Sequence, residues 1–277
     1  MTGTAPGPWG AAVVDAVIGE IRAALAATTR RPVVLGLCGA QGSGKSTLAA
    51  QAAARLEALD LPTAILSLDD LYLTRAERHE LARTVHPLFA TRGVPGTHDV
   101  ALGRETIAAL EQGAPVPMPR FDKSRDDRVP RADWPCAPAH CAVLLFEGWC
   151  VGARPQPVEA LARPVNALEA QEDAKGTWRG HANAALCGPY AQLFARLDRL
   201  VLLAAPDFAV VEGWRAEQEE RAASAASGIG SRLMDRAALA RFVAHYERLT
   251  RHILADMPGY ADRVIRLGPA REVLEIS

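Results

Sequence analysis

Hydrophobic and polar positions along the chain follow two different periods. Residues 11–27 place valine, isoleucine and leucine at three- and four-residue spacing, which predicts a helix. Five short, mainly apolar runs lie at 33–37, 61–68, 142–146, 200–203 and 264–267. Runs of this kind are typical of strands buried on both faces of a parallel sheet. The last run is interpreted as an edge strand.

Helical patterns separate these runs. They cover approximately 45–59, 103–110, 190–197, 208–226 and 235–257. Strands that alternate with helices predict one α/β domain over 1–277, with a mostly parallel sheet and helices on both faces. The glycine- and proline-rich residues 1–10 are expected to form a loose tail. Residues 72–138 are polar and rich in proline, so they predict loops and excursions with short helices. Ligands of such sheets bind at the carboxyl ends of the strands.

Composition and charge narrow the function classes. The 277 residues are 49% hydrophobic and 23% charged, as in ordinary globular proteins, and the net charge of -1 gives no general attraction to nucleic acid or membranes. The chain has five cysteines, an odd number, and no C-x-x-C pair, which argues against a disulfide framework or a structural zinc site. This cysteine usage indicates a reducing, cytoplasmic setting. We find no signal peptide and no apolar stretch of bilayer length.

A phosphate-binding motif follows the first strand. Residues 39–46 read GAQGSGKS and match the pattern G-x-x-x-x-G-K-[ST] in full. Glycines let several backbone N–H groups turn toward phosphate oxygens, and the next helix adds the positive end of its dipole. Lys45 is placed to reach the β- and γ-phosphates of ATP, and the Ser46 hydroxyl to bind Mg²⁺. The expected nucleotide-binding residues are Gly39, Gln41, Gly42, Ser43, Gly44, Lys45, Ser46 and Thr47.

Carboxylates end the next two strands. Asp69 and Asp70 follow the second strand, where a carboxylate can orient an acceptor hydroxyl and accept its proton. The alternative is that the pair caps a turn. Glu147 follows the apolar run 142–146 at the end of the third strand, where a carboxylate typically binds Mg²⁺ directly or through water. The alternative there is a charged strand end that faces solvent.

Further motifs carry a resemblance to a known family. They read SLDDLYL at 67–73, RGVPGTHD at 92–99, PMPRFDKS at 117–124, LLFEGW at 144–149, NALE at 166–169, WR at 178–179 and GWRAEQE at 213–219. Together with the phosphate-binding motif, they resemble the plant-type D-glycerate 3-kinases and their bacterial and fungal relatives. These are P-loop kinases related to uridine kinase, phosphoribulokinase and pantothenate kinase. The chain departs from the usual family pattern at Leu71, where an aromatic residue is common, and at Asp126, where glycine is common.

The resemblance implies a reaction and a set of roles. It implies ATP-dependent, Mg²⁺-assisted phosphorylation of D-glycerate to 3-phosphoglycerate, with a helical lid at about 206–234. Asp69 is then the catalytic base and a metal contact, Lys45 binds the phosphates, and Arg215 closes over the transferred group. Arg221 is a weaker lid candidate. The expected acceptor-binding residues are Asp70, Tyr72, His98, Asp99, Arg120 and Lys123, and the expected metal contacts are Ser46, Glu147 and Asp69.

Glycerate carries a carboxylate, so its site should offer cations or N–H donors. Arg120, Lys123 and Arg128 lie in the proline-rich excursion and fit that need, although loop cations are commonly solvated. Arg215 has a plainer alternative too, an exposed helix with Glu–Arg pairs. Two other functions remain open: the same fold acting on a nucleoside, pantothenate or a sugar, and an ATPase switch without an acceptor. No nucleic-acid or membrane partner is expected.

Overall fold

A computed structural model describes residues 9–225 and 236–277. Its centre is a six-stranded sheet with the strand order β6-β5-β4-β1-β3-β2. The strands are β1 (Val33–Gly39), β2 (Thr63–Ser67), β3 (Val143–Gly148), β4 (Arg199–Ala204), β5 (Arg263–Leu267) and β6 (Val273–Ile276). All neighbouring strands run parallel except β6, which pairs antiparallel with β5. The mostly parallel sheet that the sequence predicts is therefore confirmed.

Helices cover both faces of this sheet. They are α1 (Ala11–Ala27), α2 (Lys45–Glu57), α3 (Arg75–Thr84), α4 (Val100–Leu110), α5 (Ala167–Glu172), α6 (Thr177–Ala185), α7 (Ala191–Phe194), α8 (Ala209–Ala225) and α9 (Arg236–Asp256). Val17 of α1 and Leu48 of α2 lie in a buried cluster on one face. Ile107 of α4 and Leu249 of α9 lie in a second cluster on the opposite face. Burial from both sides explains why the central strands are continuous apolar runs rather than alternating ones.

The central strand β1 fixes where the functional motifs meet. Every residue of β1 and of β3 is buried, as expected for the middle of a covered sheet. Parallel pairing aligns Ser67 at the end of β2 with Glu147 of β3, and Glu147 with Leu37 of β1. The sequence segments that leave these strands therefore share one edge of the sheet, which is where a ligand is expected.

Several predicted boundaries need correction. The run at 264–267 is not the edge strand, because β6 follows it and covers its outer side. The helix expected at 190–197 is the last part of a longer helical segment. This segment consists of α6, a π-helical turn over Leu186–Tyr190, and α7. The third strand ends at Glu147 and Gly148, as the sequence predicts.

The terminal tail and the lid are only partly described. Residues 1–8 of the expected tail and 226–234 of the expected lid lie outside the described residues. Trp9 is buried, with 8% of its surface exposed, so the expectation of a loose tail is wrong at that residue. None of the helices in the described ranges combines the length and apolar character that a bilayer crossing requires.

Candidate active site

The phosphate-binding motif forms the turn between β1 and α2. Gly42 and Gly44 have φ angles of 75° and 91°, a region that favours glycine. Helix α2 begins at Lys45, and the first N–H groups of a helix have no partner within it. Such N–H groups and the helix dipole form an anion-binding site. The turn therefore has the geometry that triphosphate binding requires.

Close packing is a second reason for the glycines. A Cβ at Gly42 would lie 2.7 Å from the Cβ of Trp214, and one at Gly44 would lie 2.9 Å from Cζ2 of Trp9. The indole Nε1 of Trp9 also donates a hydrogen bond of 3.1 Å to the carbonyl of Gly44. The loop is thus held between two tryptophans, one from α8 and one from the segment before α1.

Ser46 and Glu147 form an oxygen pair beside the loop. The Ser46 hydroxyl donates to Oε1 of Glu147 at 3.0 Å. Glu147 is 5% exposed, and its Oε2 is buried without a hydrogen-bond partner in the described part of the chain. A hydroxyl and a buried carboxylate with an unsatisfied oxygen suit Mg²⁺, which prefers oxygen ligands and usually takes few of them from protein. These two residues fit the ion that a P-loop kinase needs.

Asp69 is the carboxylate that faces the acceptor excursion. Its Oδ2 accepts a bond of 2.5 Å from Nζ of Lys123, and its Oδ1 accepts one of 2.9 Å from the Tyr72 hydroxyl. Burial alone would raise the pKa of Asp69, but the charges of Lys123 and Lys45 outweigh it and hold the pKa well below its usual range. Asp69 is therefore a persistent anion at neutral pH.

Asp70 holds the excursion in place. It accepts hydrogen bonds of 3.0 Å from the backbone N–H of Phe121 and from the Arg120 guanidinium. Burial raises the pKa of Asp70, and these two donors partly offset that effect. The neighbouring carboxylates consequently differ in environment: Asp70 positions the chain that carries Lys123, and Lys123 reaches Asp69.

His98 is a neutral imidazole near the Asp69 carboxylate. It is 5% exposed, its ring stacks on Tyr72 at 4.5 Å, and its Nδ1 lies 2.6 Å from the Tyr190 hydroxyl. Burial lowers the pKa of His98 to about 3, although the charge of Asp69 acts in the opposite direction. The Tyr190 oxygen also accepts from the N–H of Gly96, so its own proton is available for Nδ1. That assignment puts the ring proton on Nε2, which is buried without a partner among the described residues.

Asp99 differs from the other expected acceptor residues. Its Oδ1 caps α4 by accepting from the N–H of Leu102, and its Oδ2 accepts from Arg128 at 3.1 Å. Both carboxylate oxygens are therefore used within the protein. Arg128 also donates to the carbonyl of Tyr72, so this pair supports the wall of the site. Asp99 therefore caps α4 and anchors Arg128, and its role toward an acceptor stays a prediction.

Sequence reasoning missed a second group of cations. Arg78 is fully buried, and Arg92 is 21% exposed at the side chain. Both donate to the carboxylate of Asp126 and lie over the ring of Phe121. Asp126 has a φ of 55°, in the left-handed region that favours glycine. The capping box formed by Thr74 and Glu77 was the available sequence signal for the helix that carries Arg78.

The remaining expected residues lie around the phosphate loop. Arg215 of α8 is half-buried and lies over the ring of Phe242 at 5.4 Å. Ser43 is buried, whereas Ser46 and Thr47 are exposed at the start of α2. Gly39 is buried at the end of β1, and the side chain of Arg221 lies outside the described residues. In the described residues, no cluster of three or more His, Cys, Asp or Glu side chains forms a ready metal site.

Comparisons of sequence identify relatives over two thirds of the chain. A protein of Schizosaccharomyces pombe called "Uncharacterized kinase mug58" is 36% identical over 201 residues, which cover 68% of this chain and 70% of that protein. The "D-glycerate 3-kinase, chloroplastic" of Arabidopsis thaliana is 32% identical over 199 residues, or 68% of this chain. The match spans only 41% of the plant protein's own length. No protein-family model matches the chain.

Solved structures share the fold. A D-glycerate 3-kinase from Cryptococcus neoformans var. grubii has a TM-score of 0.78 at 23% identity, covering 97% of this chain and 99% of that one. A second structure, described as the YGR205w protein, has a TM-score of 0.72 at 22% identity, covering 96% and 97% of the two chains. The solved structures confirm the fold, and the two sequence relatives confirm the resemblance drawn from the motifs. This chain is a kinase and belongs to the D-glycerate 3-kinase family of P-loop kinases.

Proposed function

We propose that this kinase transfers the γ-phosphoryl group of ATP to the 3-hydroxyl of D-glycerate and releases 3-phosphoglycerate. The observation that carries the proposal is the contact between Asp69 and Lys123 at the strand edge that also holds the phosphate loop. It joins a hydroxyl-orienting carboxylate to a cation that can attract a carboxylate acceptor. The plant relative's name supplies the identity of that acceptor.

The nucleotide half of the site uses backbone groups and two side chains. The N–H groups at the start of α2 face the triphosphate, and Lys45 adds a positive charge at the β- and γ-phosphates. Ser46 and Glu147 would hold Mg²⁺, which neutralises phosphate charge when bound. Both oxygens of Asp69 already accept hydrogen bonds from protein donors, which favours Ser46 and Glu147 over Asp69 as metal ligands.

The acceptor half uses side chains. Asp69 would orient the attacking hydroxyl and accept its proton late in the transfer, when the oxygen has become acidic. Lys123 and Arg120 carry the positive charge that a glycerate carboxylate needs, and each has substantial exposure, 54% and 37%. The buried Nε2 of His98 can donate one hydrogen bond to a hydroxyl without adding charge.

Closure of the lid completes the mechanism. Arg215 would approach the transferred phosphoryl group and stabilise its charge, while the lid helix keeps water out. Water exclusion matters because an open kinase hydrolyses ATP. Tyr72 and Asp70 act at a distance from the reacting atoms, by positioning Asp69 and the Lys123 segment.

The test is ADP release from Mg·ATP with a panel of acceptors. D-glycerate, L-glycerate, uridine, pantothenate and ribulose 5-phosphate would be compared at equal concentration. We expect a large, selective stimulation by D-glycerate. Selective stimulation by another compound would replace the acceptor and keep the kinase mechanism. A rate of ADP release that no acceptor increases would contradict the acceptor assignment.

The cellular location is a separate part of the proposal. The cysteines, all free in the structure, support the cytoplasmic location expected from their number. The plant relative is named as chloroplastic, so the location remains a prediction. A small hydroxy acid is the only partner we propose.

A further inference from the structure

Arg271 connects three parts of the molecule and has no role in the proposed mechanism. It lies in the turn between β5 and β6, more than 200 residues after the phosphate loop in the sequence. Its side chain is only 4% exposed. Its φ is 65°, an unusual value for arginine. A buried arginine in a left-handed conformation persists only where surrounding contacts hold it, so its contacts indicate its purpose.

The first contact is with the phosphate loop. Nε of Arg271 donates a hydrogen bond of 2.6 Å to the carbonyl of Gly42. On the other side of the same peptide unit, the N–H of Ser43 donates to the carbonyl of Ala40 at 3.1 Å. The Gly42–Ser43 peptide is therefore fixed at both its oxygen and its nitrogen. Because glycine at Gly42 is otherwise free to rotate, this fixation sets the direction of the loop just before its helix begins.

The second and third contacts are with α8. The Nη1 atom of Arg271 pairs with Oε2 of Glu217 at 2.8 Å, and the guanidinium lies 4.9 Å from the ring centre of Trp214. The Trp214 indole in turn donates to the carbonyl of Pro269 at 2.8 Å. The planar guanidinium is suited to this combined task, since it can donate in two directions and stack on a ring at once.

We propose that Arg271 is a positioning residue that holds the Gly42–Ser43 peptide in its nucleotide-binding orientation and couples the phosphate loop to helix α8. The inference rests on the proposed nucleotide site. Through Glu217 and Trp214, a shift of α8 is transmitted to the carbonyl of Gly42. Nucleotide binding and the position of the helix that carries Arg215 are thereby linked through one side chain.

The experiment compares Arg271→Ala, Arg271→Lys and Glu217→Gln with the wild type. Arg266→Ala is the matched control, because Arg266 is half exposed on β5 and pairs with the exposed Glu275. The dissociation constant of Mg·ATP is measured by calorimetry without an acceptor. The KM for ATP, the KM for D-glycerate and kcat follow, together with the unfolding midpoint of each protein.

We expect Arg271→Ala to weaken Mg·ATP binding by about tenfold or more, the usual loss for a hydrogen bond from a charged group. The KM for D-glycerate should stay within about twofold, because that half of the site is untouched. Arg271→Lys should show a similar weakening, since an ammonium cannot keep the forked contacts. Added guanidinium at sub-denaturing concentration should restore part of the affinity of Arg271→Ala, which a merely structural role would not produce.

Glu217→Gln separates the two halves of the inference. It keeps the bond to Gly42 and removes the charge that orients the guanidinium, so a smaller weakening of about threefold is expected. If Arg271→Ala does not fold, the Mg·ATP affinity of Glu217→Gln tests the proposal by itself. Mg·ATP affinity within about twofold of wild type in folded Arg271→Ala, or in Glu217→Gln if Arg271→Ala does not fold, would overturn the proposal. Failure of the wild type to bind Mg·ATP would instead overturn the proposed nucleotide site, and this inference with it.

Discussion

The two halves of the active site are built in different ways. The nucleotide half is a continuous stretch of chain, in which β1, the glycine turn and the start of α2 present backbone N–H groups. The acceptor half consists of side-chain pairs that join distant segments. Asp69 pairs with Lys123 across 54 positions, and Asp70 pairs with Arg120 across 50. One half depends on the path of the backbone and the other on long-range ion pairs.

This difference has consequences for specificity. Backbone N–H groups and a helix dipole recognise any triphosphate, and they tolerate changes elsewhere in the chain. Side-chain pairs can be altered one residue at a time, which lets related kinases use the same nucleotide half with different acceptors. The comparison predicts that mutations will affect the KM of one substrate or of the other, but rarely both. The following changes test that separation.

The largest effect is expected from Asp69→Asn. An amide at this position cannot accept the hydroxyl proton, so kcat should fall by about 10²–10⁴-fold. The affinity for Mg·ATP should remain within a few fold, because the phosphate loop is unchanged. Steady-state kinetics and calorimetry with the same preparation measure both quantities.

Asp60→Asn is the control for that change. Asp60 is exposed and has a φ of 57°, which asparagine also adopts, so its replacement should leave kcat unchanged. An Asp69→Asn protein that keeps most of its turnover would show that Asp69 is not the catalytic carboxylate.

Lys45→Ala tests the nucleotide half. Loss of the charge at the β- and γ-phosphates should lower kcat/KM for ATP by about 10²–10³-fold. The KM for D-glycerate should change little. The chain has three lysines, and the exposed Lys175 provides a matched Lys175→Ala control. Unchanged ATP kinetics in Lys45→Ala would disprove the role of the phosphate loop.

Lys123→Met tests the acceptor half. We expect the KM for D-glycerate to rise about tenfold, as for the loss of one charge-assisted contact, with little change in the KM for ATP. The pKa of Asp69 should also rise, because Lys123 is the largest of the influences that lower it. As protonation of Asp69 removes activity, the acid limb of the kcat profile should move to higher pH. Lys175→Met should show neither effect, and an unmoved acid limb in Lys123→Met would count against the pairing.

The smallest effect concerns His98 and stability. Burial places the pKa of His98 at about 3 in the folded protein, against an ordinary value of 6.5. Between these values the unfolded chain binds a proton that the folded protein rejects. The free energy of unfolding should therefore be at its maximum with respect to His98 above pH 6.5, and it should decrease as the pH falls toward 3.

His98→Gln should make that decrease shallower. It should not remove it, because burial also lowers the pKa of His245. Urea unfolding between pH 5 and 8 measures the slope, with the exposed His79→Gln as control. An identical slope in wild type and His98→Gln would mean that His98 is not held neutral by the fold.

The fold could be predicted well from the sequence, and the nucleotide half of the site nearly as well. The apolar runs located β1 to β5, and the bounds of α1 are those that the periodicity predicted. The phosphate motif is contiguous, so its geometry follows from local glycine conformations. Glu147 was located by its place after an apolar run, at the end of β3.

The acceptor half could be only partly predicted. The motifs indicated Lys123 and Asp69 separately, but their contact depends on how the 72–138 excursion folds back, and local patterns contain no such information. The cap that Asp99 forms on α4 was not predicted, because a cap depends on where the next helix begins. Arg78 and Arg271 are buried, which no periodicity indicates for an arginine.

The position of the transferred phosphate tests the account most directly. The wild-type protein would convert ¹³C-labelled D-glycerate with Mg·ATP, and NMR would identify the carbon whose oxygen carries phosphorus. If Asp69 orients the terminal hydroxyl while the cations hold the carboxylate at the other end, all product should be 3-phosphoglycerate. Formation of 2-phosphoglycerate, or of inorganic phosphate alone, would contradict that arrangement of the acceptor.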